Sequence, residues 1–293
     1  MRRHKVSERR ACRVVGQNRS AQRYVALPDD FEARLVKAMR RLAESHPRWG
    51  YRQIHALLVA DGWKVNRKRI ERLWRLEELQ VPPSKSKKSG KKAGGSDENS
   101  IWNLPAVYPD HIWTFDFMTD RTVDGRAYRI LNIVDEYTRR CVASHVARTI
   151  GARSVCRVLG EQFTDGRKPA VIRSDNGREF IAEVLGTWLA EQGVKSAFVA
   201  KASPTQNAFI ESFNGTMRTE CLNAEEFHSL LEARVVIDEY RTLYNTVRRH
   251  RGLGMKTPDA FALSEARAAD PPCNLDTASP IGKTDGGSNK RGR

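Results

Sequence analysis

Three acidic residues stand in three separate, recognisable words. Asp116 lies in W-T-F-D-F, Asp175 in R-S-D-N-G-R-E-F and Glu211 in N-A-F-I-E-S-F-N-G, with 35 residues between the last two. Three carboxylates brought together in a fold are a ready cage for a divalent metal. Drawn together, they repel one another unless a cation sits between them. Oxygen-only ligands suit Mg2+ or Mn2+ rather than zinc. Two such ions can clamp the attacking and leaving oxygens of a phosphodiester. Taken singly, each acid has a plainer reading: a buried polar group with hydrogen-bond partners, an Asx turn, or a solvated helix position.

The chain around these words alternates between strand and helix. Residues 112–118 read as an aromatic-rich strand bearing Asp116, and an Asp124-Gly125 turn leads to a second strand over 128–134. A third strand is expected over 141–146, then a helix over 152–163. A short apolar strand over 170–173 ends at Ser174-Asp175-Asn176-Gly177. A helix over about 179–192, stopped by Gly193, precedes a last strand over 194–199. This pattern means α/β with a mixed sheet, and Asp175 stands at a strand end, where open α/β sheets place ligands. Glu211 falls on a helix starting near Thr205 or Gln206. There Asn207, Glu211, Asn214 and Arg218 share a polar face and Ile210, Phe213 and Met217 an apolar one. Ser229 and Glu232 form a capping box for a further helix that turns Leu230, Ala233, Ile237, Tyr240 and Tyr244 inward. The neighbouring acids Asp120, Asp124, Asp135 and Glu136 are expected in turns or at the surface.

The positive charge is unevenly placed. Residues 1–92 carry 25 Lys and Arg against 9 Asp and Glu, whereas residues 93–293 carry 26 of each, so the whole net charge of +16 is N-terminal. Concentrated positive charge attracts a polyanion. The first residues suit a helix capped by Ser7, with Ala11, Val14 and Val15 on one face and Gly16 as its stop; Ser20 is expected to cap a short turn. Helices from Asp29 or Asp30 to Ser45 (Phe31, Leu35, Met39 and Leu42 inward), around Ile54, Leu57 and Leu58, and after Asn66 (Ile70, Leu73 and Trp74 inward) complete a helix-turn-helix outline. Its last helix sets Lys68, Arg72 and Arg75 on one face, the arrangement that enters a major groove. Arg67 and these three are candidate DNA contacts; an ordinary basic surface is the competing reading. The Pro-, Gly-, Ser- and Lys-rich residues 81–100 read as a flexible basic linker. Five scattered cysteines form no C-x-x-C, which excludes a disulfide framework and a zinc ribbon, and His4, Cys12, His46 and His55 lack zinc-ligand spacing. With no membrane-length apolar run and no signal peptide, a cytoplasmic, nucleoid-associated protein with no membrane partner is expected.

The three acidic words, their order and spacing, and the H-P-R-W-G-Y-R-Q-I-H segment resemble the insertion-sequence-3-type transposases, specifically the OrfB catalytic protein, a DDE transposase. Retroviral integrases share that catalytic core. The resemblance runs from about Ser7 to Phe261. It implies a ribonuclease H-like integrase core, a mixed five-stranded sheet with flanking helices, over 101–262. An all-α helix-turn-helix region over 1–80 precedes it, and a disordered tail over 263–293 follows. It further implies metal-dependent strand cleavage at element ends and strand transfer into target DNA, with Asp116, Asp175 and Glu211 holding two Mg2+ ions (Mn2+ as substitute). Arg218 matches the position of a family Lys or Arg that contacts DNA, and Asn207, Asn214, Arg248 and Arg249 join it as candidate DNA contacts. A first-reading-frame (OrfA) partner or frameshift fusion and a homo-multimer on DNA are also implied. The chain departs from the family pattern at Lys201-Ala202-Ser203, where Pro-Gly is common. It departs again at Arg249, usually Pro, and at Arg251-Gly252, usually a Ser pair. A metal-dependent nuclease of the same fold and a catalytically inactive DNA-binding regulator remain the alternatives.

Overall fold

The computed structural model describes residues 6–23, 30–80, 104–174, 183–198 and 208–269. Expectations for Asp175, Asn207, Lys201-Ala202-Ser203, the linker and the tail beyond 269 lie outside the described residues. The chain divides into two compact units, Met1–Lys88 and Ser89–Arg293.

The first unit is helical: α1 (Glu8–Val15), α2 (Arg19–Arg23), α3 (Asp30–Ser45), α4 (Tyr51–Ala60) and α5 (Arg67–Leu76). Ser7 caps α1, its hydroxyl accepting from the Arg10 amide, and Gly16 ends it at φ +69°. The expected face is wrong, however. Val14 and Val15 are 80% and 74% exposed, and Cys12 is the buried residue. Glu8 accepts two hydrogen bonds from the Arg23 guanidinium of α2, at 2.8 and 2.9 Å. That pair turns the Glu8–Cys12 side of the helix toward its neighbour. Ser20 lies inside α2 rather than at a cap. Helices α3 to α5 pack as their periodicity requires: Leu35, Met39, Ile54, Leu58, Ile70, Leu73 and Trp74 are buried. The Asn66 side chain accepts from the Lys68 amide at 2.9 Å to start α5.

The second unit carries a five-stranded sheet: β1 (Ile112–Arg121), β2 (Ala127–Asp135), β3 (Cys141–Ala147), β4 (Val171–Ser174) and β5 (Lys195–Phe198), in the order β3-β2-β1-β4-β5. The pairs β1–β2 and β2–β3 are antiparallel, and β1–β4 and β4–β5 are parallel. This is the expected mixed sheet of a ribonuclease H-like integrase core. Helices α6 (Ala152–Thr164) and α7 (Glu183–Glu191) cover one face, with Trp113, Phe115, Leu131, Val155, Leu159, Leu185 and Leu189 in one core. Helices α8 (Ala208–Met217) and α9 (Leu230–Thr246) cover the other, with Met118, Ile130, Ile210, Phe213, Met217, Ile237 and Tyr244 in a second core. Side chains alternate along a strand. Trp113 and Phe115 therefore face α6 and α7, while Asp116 and Met118 face α8.

Beyond α8 a π-helical turn spans Arg218–Leu222, and the Ser229–Glu232 capping box opens α9 as the sequence indicates. The Asn245 side chain clamps the backbone of Cys141, accepting from its amide at 2.9 Å and donating to its carbonyl at 2.8 Å. This fastens α9 to the start of β3. A last helix, α10 (Pro258–Ala269), continues past residue 263, where a disordered tail was expected. Asp135 and Glu136 stand at a turn, one of the two expected placements, but they are buried, 0% and 2% exposed, rather than at the surface. Asp135 accepts the Thr138 hydroxyl at 2.5 Å. Glu136 takes both its bonds, 3.0 and 2.9 Å, from Arg173 Nη1, and Arg173 is itself 4% exposed. Burial pushes the Glu136 carboxyl up to about 7 even though Arg173 and Arg139 pull it down.

His250 packs edge-on against Tyr244, with ring centroids 4.8 Å apart. Burial first, then the Arg248 and Arg139 charges, hold its imidazole down at about 3 against an ordinary 6.5. The native state thus keeps the ring neutral, and unfolding lets it take a proton below 6.5. Its contribution to stability is complete above pH 6.5 and is lost as pH falls toward 3. Between those limits, wild-type urea stability should drop more steeply than that of His250→Gln, by up to about 1.4 kcal/mol per pH unit. Parallel pH curves for the two proteins would contradict this.

Candidate active site

Three strands meet in one lateral row. In the sheet register Asp116 of β1 pairs with Asn132 of β2, and Asn132 pairs with Ser144 of β3. On the other side, Phe115 pairs with Ser174, the last residue of β4. Asp175 follows Ser174 in the chain and lies outside the described residues. The Arg173–Glu136 pair anchors β4 next to this point, and Arg173 Nη2 also donates to the Leu104 carbonyl at 2.9 Å.

Asp116 is partly buried, and the Phe117 amide and Asn214 are among the groups that reach it. The Phe117 amide donates to Oδ1 at 2.7 Å, and Asn214 Nδ2 donates to Oδ2 at 3.0 Å. Glu211 is exposed on α8, three residues before Asn214, so the two are neighbours on one helix face. The buried side chains of Ile210, Phe213 and Met217 hold the opposite face of α8 on the sheet. Asp116 and the helix bearing Glu211 are thereby brought together, as the spacing requires. Among the described residues no group of three His, Cys, Asp or Glu side chains is placed to hold a metal ion.

Several candidate DNA contacts have partners inside the protein. Asn214 does not present a free amide, because its nitrogen is committed to Asp116 and its oxygen accepts from Asn132 Nδ2 at 2.8 Å. Arg248 turns inward and forms three hydrogen bonds of 2.9–3.1 Å with Glu220, in a pair whose side chains are 17% and 10% exposed. Arg249 is partly buried beside it. Arg218 is more open: Nη1 donates to Asp120 Oδ2 at 2.5 Å and Nη2 to the Thr119 carbonyl at 2.8 Å, the pair being 35% and 25% exposed. In the first unit Arg67, Lys68, Arg72 and Arg75 are exposed on α5. Lys68, Arg72 and Arg75 share one open surface with Glu71 and Leu76. Arg72 is paired with Glu32 at 2.8 Å and Arg75 with Glu71 at 2.6 Å.

The residues that sequence reasoning passed over are Asn132, Ser144, Glu220 and Asp120. Asn132 carried a readable signal, since it is one amide inside the apolar run I-L-N-I-V, where a polar side chain needs a partner. Glu220 and Asp120 carried none, because nothing local distinguishes them from surface acids.

The chain is similar to known proteins in both of its units. Integrase core domain models match residues 106–204 and 192–258, and an HTH-like domain model matches residues 30–87. A protein of insertion element IS407 from Burkholderia multivorans is 38% identical over 267 residues, 91% of this chain and 94% of that protein. A protein of insertion element IS476 from Xanthomonas euvesicatoria is 36% identical over 88% of this chain and 72% of that protein. A transposase for insertion sequence element IS904 from Lactococcus lactis is 28% identical over 74% of this chain and 88% of its own length. Among solved structures, the HTLV-2 integrase catalytic core domain in complex with magnesium matches 53% of this chain and 98% of that chain, at 16% identity and a TM-score of 0.43. A simian T-cell lymphotropic virus intasome chain matches 85% of this chain and 81% of that chain, at 12% identity and a TM-score of 0.48. With integrase core models matching residues 106–258 and relatives at 38% and 36% identity over 91% and 88% of its length, the chain belongs to the insertion-sequence-3-type transposases, in the OrfB branch with an integrase core.

Proposed function

We propose that Asp116, Asp175 and Glu211 form the metal-holding centre with which this transposase cuts DNA at element ends and joins the new 3′ end to target DNA. The observation that carries this reading is the Asn214 bridge, which ties the Glu211-bearing helix to Asp116. Oxygen-only carboxylate donors, one of them accepting from the Phe117 amide and from Asn214, fit Mg2+, with Mn2+ as a substitute. Bound there, two such ions would activate the attacking water or 3′-hydroxyl and stabilise the leaving 3′-oxygen. The protein's own groups orient the partners. Asn214 and the Phe117 amide fix the Asp116 carboxylate. Arg218, seven residues after Glu211 and so two turns along the same face, exchanges Asp120 for a phosphate beside the scissile bond.

DNA capture rests on α5 of the first unit, through Arg67, Lys68, Arg72 and Arg75, with Asn207 and Arg249 assigned to contacts nearer the core. Asn214 and Arg248 are left out of this set because the fold already engages them. The DNA partners are the element ends and the target. The protein partners are a first-reading-frame protein or fusion and further copies of this chain on paired ends. Such a reaction places the protein at the bacterial nucleoid.

The test is cleavage and joining of end-containing DNA by the full chain with its first-frame partner added. Asp116→Asn, Asp175→Asn and Glu211→Gln should each lower both steps by at least about 100-fold, since each removes a ligand from the metal centre. Wild-type rates in any of them would remove that residue from the centre. Cut fragments without joined product would make the protein a nuclease. Specific DNA binding without metal-dependent chemistry would make it a regulator. For the phosphate contact, Arg218→Ala should slow joining by about 10-fold or more, the worth of one charge-assisted hydrogen bond. End binding through the first unit should be retained. An unchanged joining rate would free Arg218 from that role.

A further inference from the structure

We infer that Ser144 and Asn132 form, with Asn214, a hydrogen-bond relay of fixed polarity that sets the Asp116 carboxylate for its metal, and that Asn132 is a positioning residue. The inference rests on the reading of Asp116 as a metal ligand. Ser144 Oγ donates to Asn132 Oδ1 at 2.7 Å, Asn132 Nδ2 donates to Asn214 Oδ1 at 2.8 Å, and Asn214 Nδ2 donates to Asp116 Oδ2 at 3.0 Å. The remaining Nδ2 hydrogen of Asn132 meets the Met217 sulfur at 3.6 Å.

The polarity of this row is not free. A side-chain amide can rotate end for end, exchanging its oxygen and nitrogen. If Asn132 turned over, its oxygen would face the oxygen of Asn214. Turning Asn214 as well would then set an amide oxygen against the Asp116 carboxylate. The Asp116 carboxylate decides between the two arrangements: a carboxylate only accepts, so Asn214 turns Nδ2 to it, and the Ser144 hydroxyl, which can donate or accept, donates to the Asn132 oxygen that this leaves facing it. Cys141 Sγ lies 3.3 Å from the same hydroxyl. The Ala143 carbonyl, 3.5 Å from the same sulfur, is a second acceptor for the thiol hydrogen. Burial keeps that thiol protonated, pushing it up to about 12.

The cost of the arrangement points the same way. Asn132 is 0% exposed in the centre of the sheet, where an apolar residue would need no partner. An amide there is destabilising unless every polar atom is satisfied, and here each one is. Groups that hydrogen-bond a metal ligand orient it, and their loss lowers metal affinity by about 10- to 100-fold.

Mn2+ binding to the full chain without DNA, followed by electron paramagnetic resonance, tests this directly, with thermal melting recorded for each variant. Asn132→Leu should weaken Mn2+ binding by about 10-fold or more. Ser144→Ala should weaken it by about 3-fold, and Ser144→Thr, which keeps the hydroxyl, should recover it. Because Asn132 acts through Asn214, the double variant Asn132→Leu, Asn214→Leu should bind no more weakly than Asn214→Leu alone. Additive losses in that cycle would overturn the relay. So would wild-type Mn2+ affinity in Asn132→Leu and Ser144→Ala while Asp116→Asn binds weakly, an outcome that leaves the metal centre standing. Wild-type affinity in Asp116→Asn would remove the metal centre and the relay together. If Asn132→Leu does not fold, the two Ser144 variants decide.

Discussion

The hydrogen bond from Asn214 to Asp116 fixes where α8 sits on the sheet. Apolar contacts of Ile210, Phe213 and Met217 bind the helix to the strands, but such packing has no direction of its own. A helix could slide or rotate by part of a turn and still bury much of the same area. The 3.0 Å contact between one amide and one carboxylate oxygen removes that freedom. Two periodicities then mesh. The two-residue alternation of β1 sends Asp116 to the α8 side, and the helical repeat sets Glu211, Asn214 and Arg218 along one face above it.

Charge pairing provides the second layer of order. Arg173 with Glu136 is a buried pair and Arg248 with Glu220 a part-buried one, and both join segments distant in the chain. Breaking one partner of the buried pair leaves an uncompensated charge in a low-dielectric site and costs about 3–5 kcal/mol. These pairs therefore brace the rim of the site: the first holds β4 where the chain passes to Asp175, and the second holds the segment after α9. Arg218 with Asp120 is different in kind. It is half open to solvent, so a phosphate can replace the carboxylate without leaving a charge stranded in the core. The charge over 93–293 is balanced, 26 of each sign, and the excess positive charge lies in the first 92 residues.

The features legible in the sequence were those with a local physical cause. The alternation around Asp116, the Asn66 cap, the Ser229–Glu232 box and the apolar stripes of α3 to α5 are each written within one or two turns or a few strand residues. What escaped was pairing across long separations. Glu136 lies 37 residues from Arg173, and Asn214 lies 98 from Asp116, so residue type alone gave no sign that these side chains were engaged. Asp135 and Glu136 are turn acids whose burial escaped for the same reason, and Val14 and Val15 looked buried because Glu8 had not been matched with Arg23. The acidic words carried the family; the amide row beneath Asp116 becomes visible only when β3, β2 and β1 are laid side by side.

The most direct measurement is an anomalous-scattering map from Mn2+-soaked crystals of the full chain. A single metal centre shared by the three acidic words requires Mn2+ peaks about 2.0–2.2 Å from carboxylate oxygens of Asp116 and Glu211, with Asp175 reaching the same ions. Peaks at other carboxylates, with the Asp116 and Glu211 oxygens bare at the same Mn2+ concentration, would contradict the account.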